Sequence, residues 1–222
     1  RVDTTQAQEL MANSTFESNP PTGFTSQYLY LGFNPAQDIY DKPAYSGKSG
    51  IWLIAKDANY TWRDYAKVKA HTGTYFALFD ADTSGKKYAW RASSRENPSL
   101  KIVQGGVYEF SFWYADISGV QLGHNPAKLQ FEIQYMDENG VYQSANLGSE
   151  YTLGRDNNWH ECAGTWTAPI SSDSVFIQVN DNNTSTDKLG NDFALDDVYF
   201  RLKPKTIEVI KTTETFQVIV EN

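Results

Sequence analysis

The chain has 222 residues and a formal net charge of −8, an acidic balance that disfavours nucleic acid and anionic membranes as partners, since phosphate binding calls for a positive field. Aromatic residues make up 14% of it, as 14 Tyr, 12 Phe and 6 Trp, while the mean hydropathy of −0.54 shows a wet surface; one domain of ring-rich β-sandwich type fits both numbers. The single Cys162 forms no internal disulfide, and no apolar run approaches the roughly 20 residues that would insert into and span a bilayer.

Residues 1–8 are polar and read as a linker. Strand signals follow at 9–17, 28–33, 50–56, 74–80, 86–92, 100–103, 106–115, 127–136, 141–146, 158–167, 174–180 and 192–202. Most are short, rich in Tyr, Phe, Val, Ile and Trp, and bounded by Gly, Asn, Asp or Pro. No stretch longer than about two turns reads as an amphipathic helix. Asp137-Glu138-Asn139-Gly140 is the best hairpin signal, because Asn-Gly accepts the positive φ values of a tight turn. An all-β sandwich or jelly roll follows, over residues 9–203. Lys203-Pro204-Lys205 marks a boundary, and 204–222 reads as a linker or the start of a following β module.

Two segments set carboxylates beside strand-forming apolar residues, where water would solvate them more cheaply: Glu9 to Glu17, and Gly190 to Phe200. A shared cation would hold them there. Leu195 and Val198, three apart, would face opposite sides of a regular strand, yet both read as core. A bulge at Asp196-Asp197 reconciles them, turning a carboxylate and a carbonyl toward one point, as calcium prefers.

The pair Asn13-Ser14-Thr15-Phe16-Glu17 and Asp192-Phe193-Ala194-Leu195-Asp196-Asp197-Val198 resembles the first and last strands of galactose-binding-like β-jelly rolls. These include xylan- and glucan-type carbohydrate-binding modules and MAM-type adhesion domains. Gly106-Val107-Tyr108-Glu109-Phe110-Ser111-Phe112-Trp113-Tyr114 is similar to their central strand, and Tyr45-Ser46-Gly47-Lys48-Ser49-Gly50-Ile51-Trp52-Leu53 to an early turn and strand. The resemblance implies a structural calcium held by side-chain oxygens of Glu17 and Asp196 and by backbone carbonyls near Ser46 and Lys48. It alone implies export, and a bacterial, extracellular or cell-surface setting. The start at Arg1 reads as a mature or trimmed chain.

Sugar rings offer apolar C–H faces and a rim of hydroxyls, so an exposed ring beside Asn, Asp or Arg is what a glycan site requires. Asn59-Tyr60-Thr61-Trp62-Arg63-Asp64-Tyr65 fits, with Tyr60, Trp62 and Arg63 as candidates. Trp90 with Arg91 is a second place. Trp113 and Trp159 sit in regular strand patterns and read as core. His160 and Cys162 share a strand face, which superficially resembles a thiol–imidazole pair, but i and i+2 side chains usually only line a stripe. Gly47-Lys48-Ser49 lacks the upstream Gly of a phosphate loop and is a turn.

The expectation is a non-catalytic module that binds a polysaccharide or oligosaccharide, a monomer within a larger multidomain chain. An adhesion or spacer domain of MAM-like type is the alternative. A jelly-roll glycoside hydrolase or lyase stays open, since paired catalytic acids are brought together only by the fold.

Overall fold

Period-two alternation sets the architecture. In β6 (Lys128–Met136), Leu129, Phe131, Ile133 and Tyr135 enter the core, while Gln130, Glu132 and Gln134 point the other way. The same rule holds in β5 (Val107–Asp116), where Tyr108, Phe110, Phe112 and Tyr114 face inward. The computed structural model describes residues 9–11, 15–18, 22–31, 49–61, 66–81, 86–118, 125–184 and 191–204, with 60 and 61 described by backbone alone.

The other strands are β1 (Leu29–Tyr30), β2 (Ile51–Ala55), β3 (Phe76–Asp80), β4 (Lys87–Ser93), β7 (Tyr142–Thr152), β8 (His160–Thr167), β9 (Val175–Asp181) and β10 (Phe193–Leu202); α1 (Ala58–Thr61) is a single helical turn. Among the described residues they form a six-stranded sheet, β1-β2-β3-β10-β5-β8, and a four-stranded sheet, β4-β9-β6-β7. Only the β1–β2 pair is parallel. The chain passes repeatedly from one sheet to the other, so this is the expected all-β jelly-roll sandwich.

The two inner faces meet in an aromatic core. Phe79 stacks on Phe193 at 4.9 Å, Tyr108 on Phe200 at 4.9 Å, and Phe110 on Phe131 at 5.4 Å. Each such fully buried ring contributes roughly 1.5–3 kcal/mol, set against the entropy of ordering it. Gly164 on β8 is part of that fit, since a Cβ there would lie 2.7 Å from Phe110 Cζ. A second apolar cluster, including Leu53, Ala58, Val68, Phe76 and Leu78, lies on the outer side of the six-stranded sheet, beneath α1 and residues 66–70.

The bulge read from Leu195 and Val198 is present. The β10–β5 register shifts between Asp196 and Tyr199, Asp197 has φ 47°, and both apolar residues are fully buried. The hairpin at 137–140 is also present, with Gly140 at φ 76° donating its amide to the Asp137 carbonyl at 3.0 Å. Three expectations need correction, the first being the strand at 100–103, where only Ile102 pairs, in a single bridge to Ser172. The described residues of 9–17 form no strand: Glu9 makes one bridge to Arg201, and Phe16 at φ 58° takes a left-handed turn. Strand β7 runs past its expected end at 146, because Gly148 at φ 73° absorbs an irregularity in pairing with β6 and lets the strand resume.

Candidate functional site

Trp90 lies in the core. It is fully buried between the sheets with Phe24 6.0 Å away, so no face of its indole is free for a sugar. The cause is its register opposite inward-facing Val179, one step past the irregularity between Tyr88 and Trp90. Its neighbour Arg91 points outward. The Trp113 and Trp159 expectation also needs correction. Both lie on the outer side of the six-stranded sheet, Trp113 half-buried and stacked on His71 at 3.7 Å, Trp159 against the second apolar cluster.

Of the candidates from 59–65, only the backbone at Tyr60 is described, and it is not beside Arg91. The helical turn carrying Tyr60 is on the six-stranded side, whereas Arg91 is on the outer face of the four-stranded sheet. The Tyr60 side chain, Trp62 and Arg63 lie outside the described residues.

Around Arg91 the four-stranded sheet builds a continuous polar ribbon. Arg91 Nε donates to Gln178 Oε1 at 2.6 Å, Gln178 Nε2 to Asn180 Oδ1 at 2.9 Å, and Asn180 Nδ2 to Glu132 Oε2 at 2.8 Å. Lys86 Nζ donates to the same Glu132 oxygen at 2.9 Å, and Gln134 Nε2 to Glu132 Oε1 at 2.6 Å. Gln178, Asn180 and Glu132 are buried, and each finds partners within the ribbon. Burial raises the cost of the Glu132 charge, but the hydrogen bonds from Gln134, Lys86 and Asn180 outweigh it and hold the carboxyl below its usual range.

Rings flank this ribbon. The Arg91 guanidinium carbon sits 3.9 Å from the Tyr88 ring centre and 5.2 Å from that of Phe176. Phe176 lies 5.5 Å from Tyr142, which is 46% exposed. Tyr88, Arg91, Phe176 and Gln134 are half-buried. Tyr142 Oη and Ser174 Oγ are 2.8 Å apart, and there the strip meets a groove of about 490 Å³ lined by Met136, Asp137, Glu138 and Ser174 among others. With strands about 4.8 Å apart, the strip crosses roughly 14 Å of sheet. Sequence reading missed Tyr88, Phe176, Gln178, Glu132, Gln134 and Tyr142. Their signal was the alternation Gln130-x-Glu132-x-Gln134 and Phe176-x-Gln178-x-Asn180, amides and a ring at the outward positions of two strands.

Glu17 and Asp196 grip the two ends of one turn. Glu17 Oε1 accepts the amides of Thr74 at 2.8 Å and Tyr75 at 2.9 Å. Asp196 Oδ2 accepts those of His71 at 2.9 Å and Thr72 at 3.3 Å, and its Oδ1 that of Asp197 at 2.8 Å. Burial, and then the charge of Asp197, push the Asp196 carboxyl up to about 8 despite those amides. Among the described residues no group of three or more His, Cys, Asp or Glu could hold a metal ion. The carbonyl donors expected at Ser46 and Lys48 lie outside the described residues.

The described histidines are engaged structurally. His71 Nδ1 lies 2.6 Å from Asp197 Oδ2 under Trp113, and His160 Nε2 lies 2.9 Å from Asp156 Oδ2. Burial pushes the Cys162 thiol up to about 11, which leaves little thiolate at neutral pH.

No family model matches the sequence, and no curated protein does. Solved structures share the fold. The CBM22-1 xylan-binding domain from Paenibacillus barcinonensis Xyn10C is 15% identical over 88% of this chain and 95% of its own, with a TM-score of 0.55. The Stig cyclase Fisc from Fischerella sp. TAU is 12% identical over 90% of this chain and 99% of its own, with a TM-score of 0.57. The enzymatically active domain of tailspike protein 4 from bacteriophage CBA120 is 11% identical over 88% of this chain and 21% of that one, with a TM-score of 0.53. One sandwich thus serves both binding and enzymatic proteins, and function has to be argued from the site.

Proposed function

We propose that the protein is a non-catalytic carbohydrate-binding module that holds a polysaccharide or oligosaccharide across the outer face of its four-stranded sheet. The observation that carries this is the alignment of Tyr88, Phe176 and Tyr142 with the amide and carboxylate ribbon of Gln178, Asn180, Glu132 and Gln134. Rings suit the C–H faces of sugars, and half-buried Gln134 and Arg91 meet hydroxyls, while buried Gln178, Asn180 and Glu132 hold them in place through their own hydrogen bonds. The likeness to a xylan-binding domain supports a plant-wall glycan as the first to try. A non-catalytic role is supported by the engaged histidines and the raised thiol, which form no nucleophile–base set among the described residues. Such a module works outside the cell, where polysaccharides are met, as one unit of a larger chain.

We also infer a structural calcium near Glu17 and Asp196. What supports it is the placement of the Asp196 and Asp197 carboxyls side by side in the bulge, with Glu17 on the same turn, whose mutual repulsion a cation would offset. Its part would be to tie the N-terminal segment and β10 to the 71–75 turn.

The test is affinity electrophoresis against xylan, glucan, mannan and pectin, with Phe176→Ala beside the wild type. Retarded migration in at least one polysaccharide, relieved in the variant, is expected. Unretarded migration in all four would overturn the reading.

A further inference from the structure

Arg91 is fixed on three sides and left open on the fourth. Gln178 takes its Nε–H, and the Tyr88 and Phe176 rings lie along its guanidinium. Neither Nη group donates to a described residue, and no described carboxylate pairs with it. The other cation of the ribbon, Lys86, is already paired with Glu132, and Arg201 on the opposite sheet with Glu109 at 3.1 Å. In a chain of net charge −8, an oriented, unpaired guanidinium amid a strip of rings is a local exception that a neutral glycan would not require.

We propose that Arg91 selects a glycan bearing a carboxylate, a uronic acid unit within the chain or attached to it. This rests on the four-stranded face being the glycan site. A planar fork presents paired N–H groups that match a carboxylate bidentately, and the stacked rings prevent the fork from turning away. Among the described residues, Lys86 is the other cation of the ribbon, and Glu132 already takes it. At its far end Asp137 and Glu138 line the groove, so an acidic unit is repelled there and drawn toward Arg91. Neutral sugar rings then occupy Phe176 and Tyr142.

The experiment uses the full chain and four probes: glucuronoxylan, the same polymer after reduction of its carboxyls to alcohols, polygalacturonate, and neutral β-glucan. Carboxyl reduction should weaken binding about tenfold, equivalent to about 1.4 kcal/mol. Affinity for the acidic form should fall as salt rises, while that for the reduced form holds steady. Arg91→Gln should equalise the two forms, and Arg91→Lys, which keeps the charge but loses the fork, should fall between. Preference for glucuronoxylan over polygalacturonate would assign the acid to a side group, and the reverse preference to the backbone. If native and reduced glucuronoxylan bind equally well, the selectivity proposal is overturned while the glycan site stands. If none of the four binds, the site itself falls and the inference with it. Both deciding comparisons use the wild type and do not depend on how a variant folds.

Discussion

Arg91 on β4 and Gln178 on β9 are register partners, joined by an Nε to Oε1 hydrogen bond of 2.6 Å. Through that one amide the half-buried cation is coupled to Asn180 and Glu132, the buried interior of the ribbon. Gln178 is only 3% exposed and has little surface to offer a ligand. Gln178→Leu should nevertheless lower glycan affinity several-fold by releasing Arg91. It should also cost about 1–3 kcal/mol of stability, because Asn180 loses its donor in a buried setting. Equilibrium unfolding and binding measured on one sample check both; unchanged affinity would detach Arg91's placement from recognition.

Trp90 and Tyr142 should behave oppositely on truncation. Trp90→Ala removes a fully buried indole and should cost about 3–5 kcal/mol. Tyr142→Ala removes an exposed ring from an edge strand. Its stability should change by under about 1 kcal/mol, while glycan binding weakens about fivefold, as loss of a stacking ring worth on the order of 1 kcal/mol requires. Thermal melting paired with affinity electrophoresis separates the two.

Asp116, at the end of β5, is 2% exposed, and its Oδ2 has no hydrogen-bond partner. Burial pushes its carboxyl up to about 6. Nearby Asp192 is pushed well above the usual range by burial and then by the charge of Asp80. For Asp116 the folded state holds the proton more tightly than the unfolded one. Its unfavourable contribution is therefore absent below the ordinary value of 3.8 and grows as pH rises to about 6. Asp116→Asn keeps an oxygen to accept the Ser118 amide, as Oδ1 does now at 2.9 Å. The variant should be more stable than wild type at pH 7 by on the order of 2 kcal/mol, with the gain vanishing near pH 4. Denaturant titrations at the two pH values check the sign.

Calcium should raise the melting temperature and a chelator lower it, since only the folded chain brings Glu17 and Asp196 to one turn. Glu17→Gln keeps an oxygen for the Thr74 and Tyr75 amides but removes the charge. It should abolish the calcium response while leaving the fold intact. A wild-type melting curve indifferent to saturating chelator would count against the ion.

The sandwich was legible because its signal is local. Alternation within single strands placed β2 to β6 and β8 to β10 within a residue or two, and the three-residue spacing of Leu195 and Val198 revealed the bulge. The segment 9–17 misled because Phe16 and Glu17 look like strand residues, yet a positive φ at Phe16 turns the chain. The site was less legible because it is made by pairing. Arg91, Gln178, Glu132 and Gln134 come from three strands, and only the registers of β4 with β9 and of β9 with β6 align them. Trp90 and Arg91 show the limit most clearly: adjacent in sequence, they face opposite sides of the sheet, and the irregularity after Tyr88 decides which side each takes.

The central claim is that glycan lies on the four-stranded face. Titrating isotope-labelled protein with xylo-oligosaccharides while following backbone amide shifts tests it most directly. The account predicts saturable shifts at Arg91, Phe176, Gln178, Gln134 and Tyr142, with residues 57–61, 66–70 and Trp113 on the opposite side unmoved. Shifts confined to that opposite side would contradict it.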